Sequence, residues 1–150
     1  MLRMLRAGVC AAVVMFASAV GASSQGTADE AIAMVERAVE LIQNVGFESA
    51  RKAFETPGGE WHDRDLYIVI IDEDGVMKSH GLKPGLVGKN MLKLRDLDGK
   101  KFNYEFVAVK AGAPDWITYK WQNPSTKSID QKSTYIMKEG RLLVGVGIYN

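Results

Sequence analysis

The side chains that could hold or transform a small molecule are few, and their spacing says more than their number. Lys132 lies mid-way along the run IDQKSTYIM, amid Ser133, Thr134 and Tyr135. On an inward strand face it would supply a fixed positive charge to a small anion; on the outer face it would be solvated. His80 closes the run VMKSH, just ahead of a glycine-rich loop. There it can donate to a carboxylate and take up a proton at about pH 6–7, or simply bond a loop carbonyl. Tyr119 and Trp121 recur with Ile117 at every second residue, so a strand puts all three on one face. That face is either the aromatic wall of a pocket or core packed against a helix. Tyr135 carries the same ambiguity, because a buried phenol needs a partner that protein or ligand can provide. Phe102 and Tyr104 are two residues apart in a helical segment and cannot share its buried face; Phe102 belongs to the apolar stripe and is expected to close a pocket from above.

Catalytic and metal chemistry find little support in the same inventory. Cys10 is the one cysteine, and His62 and His80 are the two histidines. That is too little for a zinc site. No G-x-S-x-G, P-loop or dinucleotide fingerprint occurs. There is no C-x-x-C-H for covalent haem, and non-covalent haem through His80 has nothing further to support it. Asp72, Glu73, Asp74 and Gly75 are acid-rich but lack the twelve-residue alternation and late glutamate of a calcium loop. They read as a hairpin turn, as do Asp96 to Gly99. The expectation is a binding protein, not an enzyme, with no cofactor and no metal.

These residues need elements to position them. Thr27 with Glu30 is a capping box, in which hydroxyl and carboxylate satisfy free backbone donors reciprocally. Ile32, Val35, Val39 and Ile42 then follow at helical spacing. Gly46 predicts a bend, Phe47, Ala50 and Phe54 continue the pattern, and Pro57-Gly58-Gly59 ends it. From residue 66 the period changes to strands at 66–71, 76–80, 116–121, 129–137 and 142–149, divided by turn signals such as Asp-Gly and Asn-Pro. Between the second and third strands lie a glycine- and proline-rich loop and a short helix through Phe102, Phe106 and Val109. The fold class is α+β: a five-stranded antiparallel sheet, a long N-terminal helix and a loop/helix insertion. Gly145 and Gly147 fall on one face of the last strand, where the missing side chains are expected to let the helix lie close.

The start of the chain reads differently. Arg3 and Arg6 precede an apolar run at 7–20, and small residues follow, as in a secretory signal peptide over 1–22 cleaved after Ala19 or Ala22. The run is about 14 residues, short for a membrane span of roughly 20. Without it, the 19 basic residues fall to 17 against 18 acids, and no cysteine remains. A near-neutral balance gives no long-range attraction to nucleic acid or anionic membrane. An exported, cysteine-free domain at 27–150 with no further membrane span suits a bacterial periplasm.

The stretches DLYIVIIDEDGVMKSHG, LVGKN, YKWQNP and VGVGIY, in that order, resemble a single Cache domain of the bacterial type. The resemblance runs from about Thr27 to the C-terminus. It implies a PAS-like fold with a small-molecule pocket between the sheet and the inserted loops. It also implies a sensor role toward small organic acids such as pyruvate, lactate, acetate or propionate. A lysine followed shortly by a tyrosine matches the family's pocket-lining pattern, which favours Lys132 and Tyr135, and the family often places a histidine where His80 stands. Tyr119, Trp121 and Phe102 would form the walls. Partners implied are a small acid and, with no signalling module in this sequence, a membrane receptor or histidine kinase; the long helix could mediate a homodimer. The competing reading is a periplasmic adaptor that binds protein and has no ligand of its own.

Overall fold

Thr27 opens the first helix as its neighbours dictate. Its hydroxyl accepts from the Glu30 amide, and the Glu30 carboxylate accepts from the Thr27 amide at 2.8 Å. Helix α1 (Ala28–Val45) buries Ala31, Met34, Val35, Ala38, Val39 and Ile42 along one stripe. Gly46 then takes φ +80°, a conformation that favours glycine, and a second helix α2 (Phe47–Phe54) begins at once. The expected bend is thus a complete break. This computed structural model describes residues 23–150, so the expected leader and its cleavage site lie outside the described residues.

The strands are β1 (His62–Asp63), β2 (Leu66–Asp72), β3 (Met77–His80), β4 (Asp115–Gln122), β5 (Ile129–Glu139) and β6 (Leu142–Tyr149). All pair antiparallel in the order β1-β2-β6-β5-β4, with β3 also on β2. Five strands were legible in the apolar pattern. The sixth, β1, has two residues and cannot show a period; it turns back onto β2 through Arg64, whose φ is +58°. The insertion between β3 and β4 carries a single 3-10 turn at Pro84–Leu86 and helix α3 (Asn103–Ala108). Asp72 makes the β2–β3 turn that its sequence suggests: its Oδ1 accepts from the Asp74 and Val76 amides, and Gly75 has φ +77°.

Period two gives the sheet two different faces. Leu66, Ile68 and Ile70 of β2 and Val144 and Val146 of β6 pack under α1 and α2. Ile71, Ile117, Tyr119, Ile136 and Leu143 point the other way, against Met91, Phe102, Phe106 and Val109 of the insertion. A bulge adjusts the second face. Ile70 pairs Ser79 while Ile71 pairs Met77, so Lys78 is the extra residue on β3. That slip brings Met77 onto the face that His80 already occupies.

Gly145 and Gly147 correct an expectation. They lie on the insertion side, not the helix side. A Cβ on Gly147 would strike the Lys132 stem and Thr134 Oγ1, and one on Gly145 would strike Ile136. The glycines make room for side chains of β5 that cross the neighbouring strand, while Val144 and Val146 meet the helix.

Candidate functional site

Lys132 is the centre of the site because the register puts it there. Tyr119, Lys132 and Tyr149 stand opposite one another on β4, β5 and β6. The stem of Lys132 crosses Gly147 and carries Nζ toward β2. There Nζ donates to Tyr67 Oη at 2.6 Å and lies 4.1 Å and 4.9 Å from the ring centres of Tyr67 and Tyr149. Tyr149 Oη donates to the Gln122 carbonyl at 2.9 Å, which leaves it to accept from Tyr67 Oη at 3.3 Å. The chain therefore runs one way, from lysine through two phenols to a backbone carbonyl. It uses one of the three lysine donors.

Burial sets the charge on these groups. Lys132 is 1% exposed, and burial lowers its pKa to about 7. The charge of Asp65 opposes that fall and the charge of Lys83 adds to it. No acidic side chain among the described residues forms an ion pair with Nζ. Burial raises Tyr67, Tyr119 and Tyr149, so all three stay neutral phenols.

His80 stacks on Tyr67 with ring centres 5.2 Å apart. Its Nδ1 accepts from the Leu82 and Lys83 amides at 3.3 and 3.0 Å, so the neutral ring carries its proton on Nε2. Burial, then the charges of Lys132 and Lys83, lowers its pKa to about 3. The expected proton uptake near pH 6–7 is therefore corrected: His80 is a neutral donor over that range.

Both side chains open into one cavity between the sheet and the insertion. It spans about 430 Å³ out to its mouth. Phe102 takes much of the space, lying flat on Tyr119 at 3.8 Å between ring centres. Trp121 meets Phe102 edge-on at 5.7 Å, and Met77 and Leu86 complete the apolar walls. Asn103 is buried beside them and donates Nδ2 to the Met91 carbonyl at 3.0 Å.

Of the six residues read from the sequence, His80, Lys132, Tyr119, Trp121 and Phe102 surround this cavity. Tyr135 does not. It lies on the helix face of β5, half-buried against Trp116 at 5.3 Å, because it is an odd number of residues from Lys132. The phenols beside Lys132 are Tyr67 and Tyr149, which the sequence reading missed. Tyr67 had a faint signal as the one polar tip in LYIVII. Tyr149 had none without the β5–β6 register.

A cavity between a PAS-like sheet and its inserted loops, with a buried lysine on β5, can be compared with known domains. A family model described as Single Cache domain 2 matches residues 4–149. This chain belongs to that family. A curated relative, the sensor histidine kinase MctS of Rhizobium johnstonii, is 32% identical over 90 residues, covering 59% of this chain. The chain spans 20% of that kinase's length. Among solved Cache-like structures, a methyl-accepting chemotaxis protein of Vibrio parahaemolyticus superposes with TM-score 0.70 at 22% identity, over 81% of this chain and 86% of that one. A Cache chemosensory domain whose structure concerns carboxylic acid recognition gives 0.67 at 22% identity, over 81% and 91%. A periplasmic sensor domain of a chemotaxis protein gives 0.60 over 81% and 88%. At these identities the likeness establishes the Cache fold. The family is one of sensors, in line with a role in chemosensing and signal transduction.

Proposed function

We propose that this Cache domain binds a short monocarboxylic acid of the acetate, propionate, lactate or pyruvate type, in the periplasm, and presents its occupancy to a receptor or kinase. One observation carries the reading: a fully buried lysine, with no ion-pair partner among the described residues and two unused donors, at the floor of an apolar cavity. A carboxylate there would accept from Nζ and from His80 Nε2, and both donors strengthen in a dry site. Its tail would meet Phe102, Tyr119 and Trp121. Phe102 already fills much of the cavity, which favours the smallest acids; bulkier ones require Phe102 to move. A ligand anion also favours the charged amine, so binding takes up a proton and weakens as pH rises above about 7.

A thermal-denaturation panel of short-chain, hydroxy and keto acids tests this. At a hundredfold excess over Kd the folded state gains about 2.7 kcal/mol, or roughly 5–10 °C in Tm. Lys132→Met abolishes the gain. A flat response to every acid at pH 6 sinks the reading. It would favour the second one, a protein-binding adaptor, for which the packing of Phe102 on Tyr119 supplies a self-filled pocket.

A further inference from the structure

Among the described residues two charged side chains are buried, and they have opposite sign: Lys132 at 1% exposure and Asp65 at 0%. Asp65 ends the β1–β2 turn, two residues ahead of Tyr67, the phenol that accepts from Lys132. Its Oδ1 accepts from the Gly26 amide at 2.6 Å, just before the N-cap of α1. Its Oδ2 is buried and has no partner among the described residues. An unpaired buried carboxylate is expensive unless a nearby charge compensates it.

The groups around Lys132 are few. β2 contributes Tyr67, with Asp65 at its start; β3 contributes His80, the next loop Lys83, β4 Tyr119 and β6 Tyr149. The phenols and the imidazole are neutral, and Lys83 is a cation. Asp65 is the one anion whose field reaches the lysine, and it also acts on Tyr67 and Tyr149. We infer that Asp65 is a positioning residue of the acid site: across the tyrosine pair, its carboxylate is the counter-charge that keeps Lys132 an ammonium ion, and the Gly26 amide fixes where that carboxylate sits. This rests on the reading of the cavity as an acid site, but its test does not.

The variant is Asp65→Asn, whose Oδ1 retains the Gly26 bond while the charge is lost. The first readout is the titration of the Lys132 side chain, followed by NMR of lysine labelled at Cε and assigned with Lys132→Met. The midpoint falls by roughly one pH unit or more in Asp65→Asn and returns toward wild type in Asp65→Glu. An unchanged midpoint overturns the inference. Asp65→Ser, smaller and equally neutral, serves if the asparagine variant does not fold. The second readout is acetate affinity against pH. At about pH 6 Asp65→Asn stays within a few-fold of wild type for acetate, because the partial loss of the lysine's proton is offset by removal of a repelling carboxylate. At about pH 8 it binds roughly tenfold more weakly, because the lysine has lost its proton. A uniform loss at every pH marks a merely structural residue and also overturns the inference. If no acid binds either protein, the acid-site reading fails and the lysine titration alone decides the role of Asp65.

Discussion

Lys132 is charged in the unfolded chain up to about pH 10.4 and in the folded chain up to about pH 7. Between those values the unfolded state holds a proton that the folded state has released. Stability therefore rises with pH across that window, by up to about 1.4 kcal/mol per pH unit, and the full penalty of the buried charge is present below it. His80 adds a second slope: its folded value of about 3 lies below the unfolded 6.5, so stability falls as pH drops from about 6.5 toward 3. Urea unfolding from pH 4 to 10, without ligand, should show both slopes. Lys132→Met should flatten the upper one; an unchanged upper slope would show that Lys132 is not the group responsible. Some of this was legible. Lysine amid hydroxyls left both strand faces open until the family resemblance favoured position 132, and the period of two placed Tyr119 with Trp121. Parity alone was enough to exclude Tyr135 from Lys132's face. Asp65 left no trace, because an acid next to a strand reads as a turn residue until its burial is known.

Among the elements, β6 shows how glycine builds a site by omission. At Gly147 the Lys132 stem and the Thr134 hydroxyl occupy the space a methyl would take, and at Gly145 the end of Ile136 does. Gly147→Ala is expected to lower stability by about 1–3 kcal/mol and weaken acid binding tenfold or more, since the lysine must leave its path. Gly145→Ala should cost stability without moving the lysine, so its acid affinity stays near wild type. Isothermal titration of the two variants separates these effects; equal affinity in both would mean that the path over Gly147 does not matter. The alternation VGVGIY announced a crowded face but not which one, because a strand seen alone has two equivalent sides. Only the pairing of Ile136 with Gly145 and Lys132 with Tyr149 resolves it. The bulge at Lys78 was equally silent in the sequence, yet it decides that Met77 walls the cavity.

At the scale of the whole molecule, the order of elements followed directly from the period of the apolar pattern, which changes after residue 65. The capping box, the turns and the insertion all stand where their residues imply. What the pattern could not convey is how full the cavity is, since that depends on packing between segments far apart in sequence. Phe102 closes it from the insertion and Tyr119 from the sheet. Phe102→Ala should cost about 3–5 kcal/mol in stability and shift preference toward bulkier acids, read as a change in the rank order of the thermal panel. An unchanged rank order would mean that Phe102 does not set ligand size.

The two faces of this sheet are separated by a single thickness of backbone, and at Gly147 nothing cushions it. The lysine stem rests on the β6 main chain itself. The flanking Val146 and Ile148 press on the core beneath α1. Whatever draws the ammonium forward therefore drags a stem seated directly on a strand whose reverse side faces the helix.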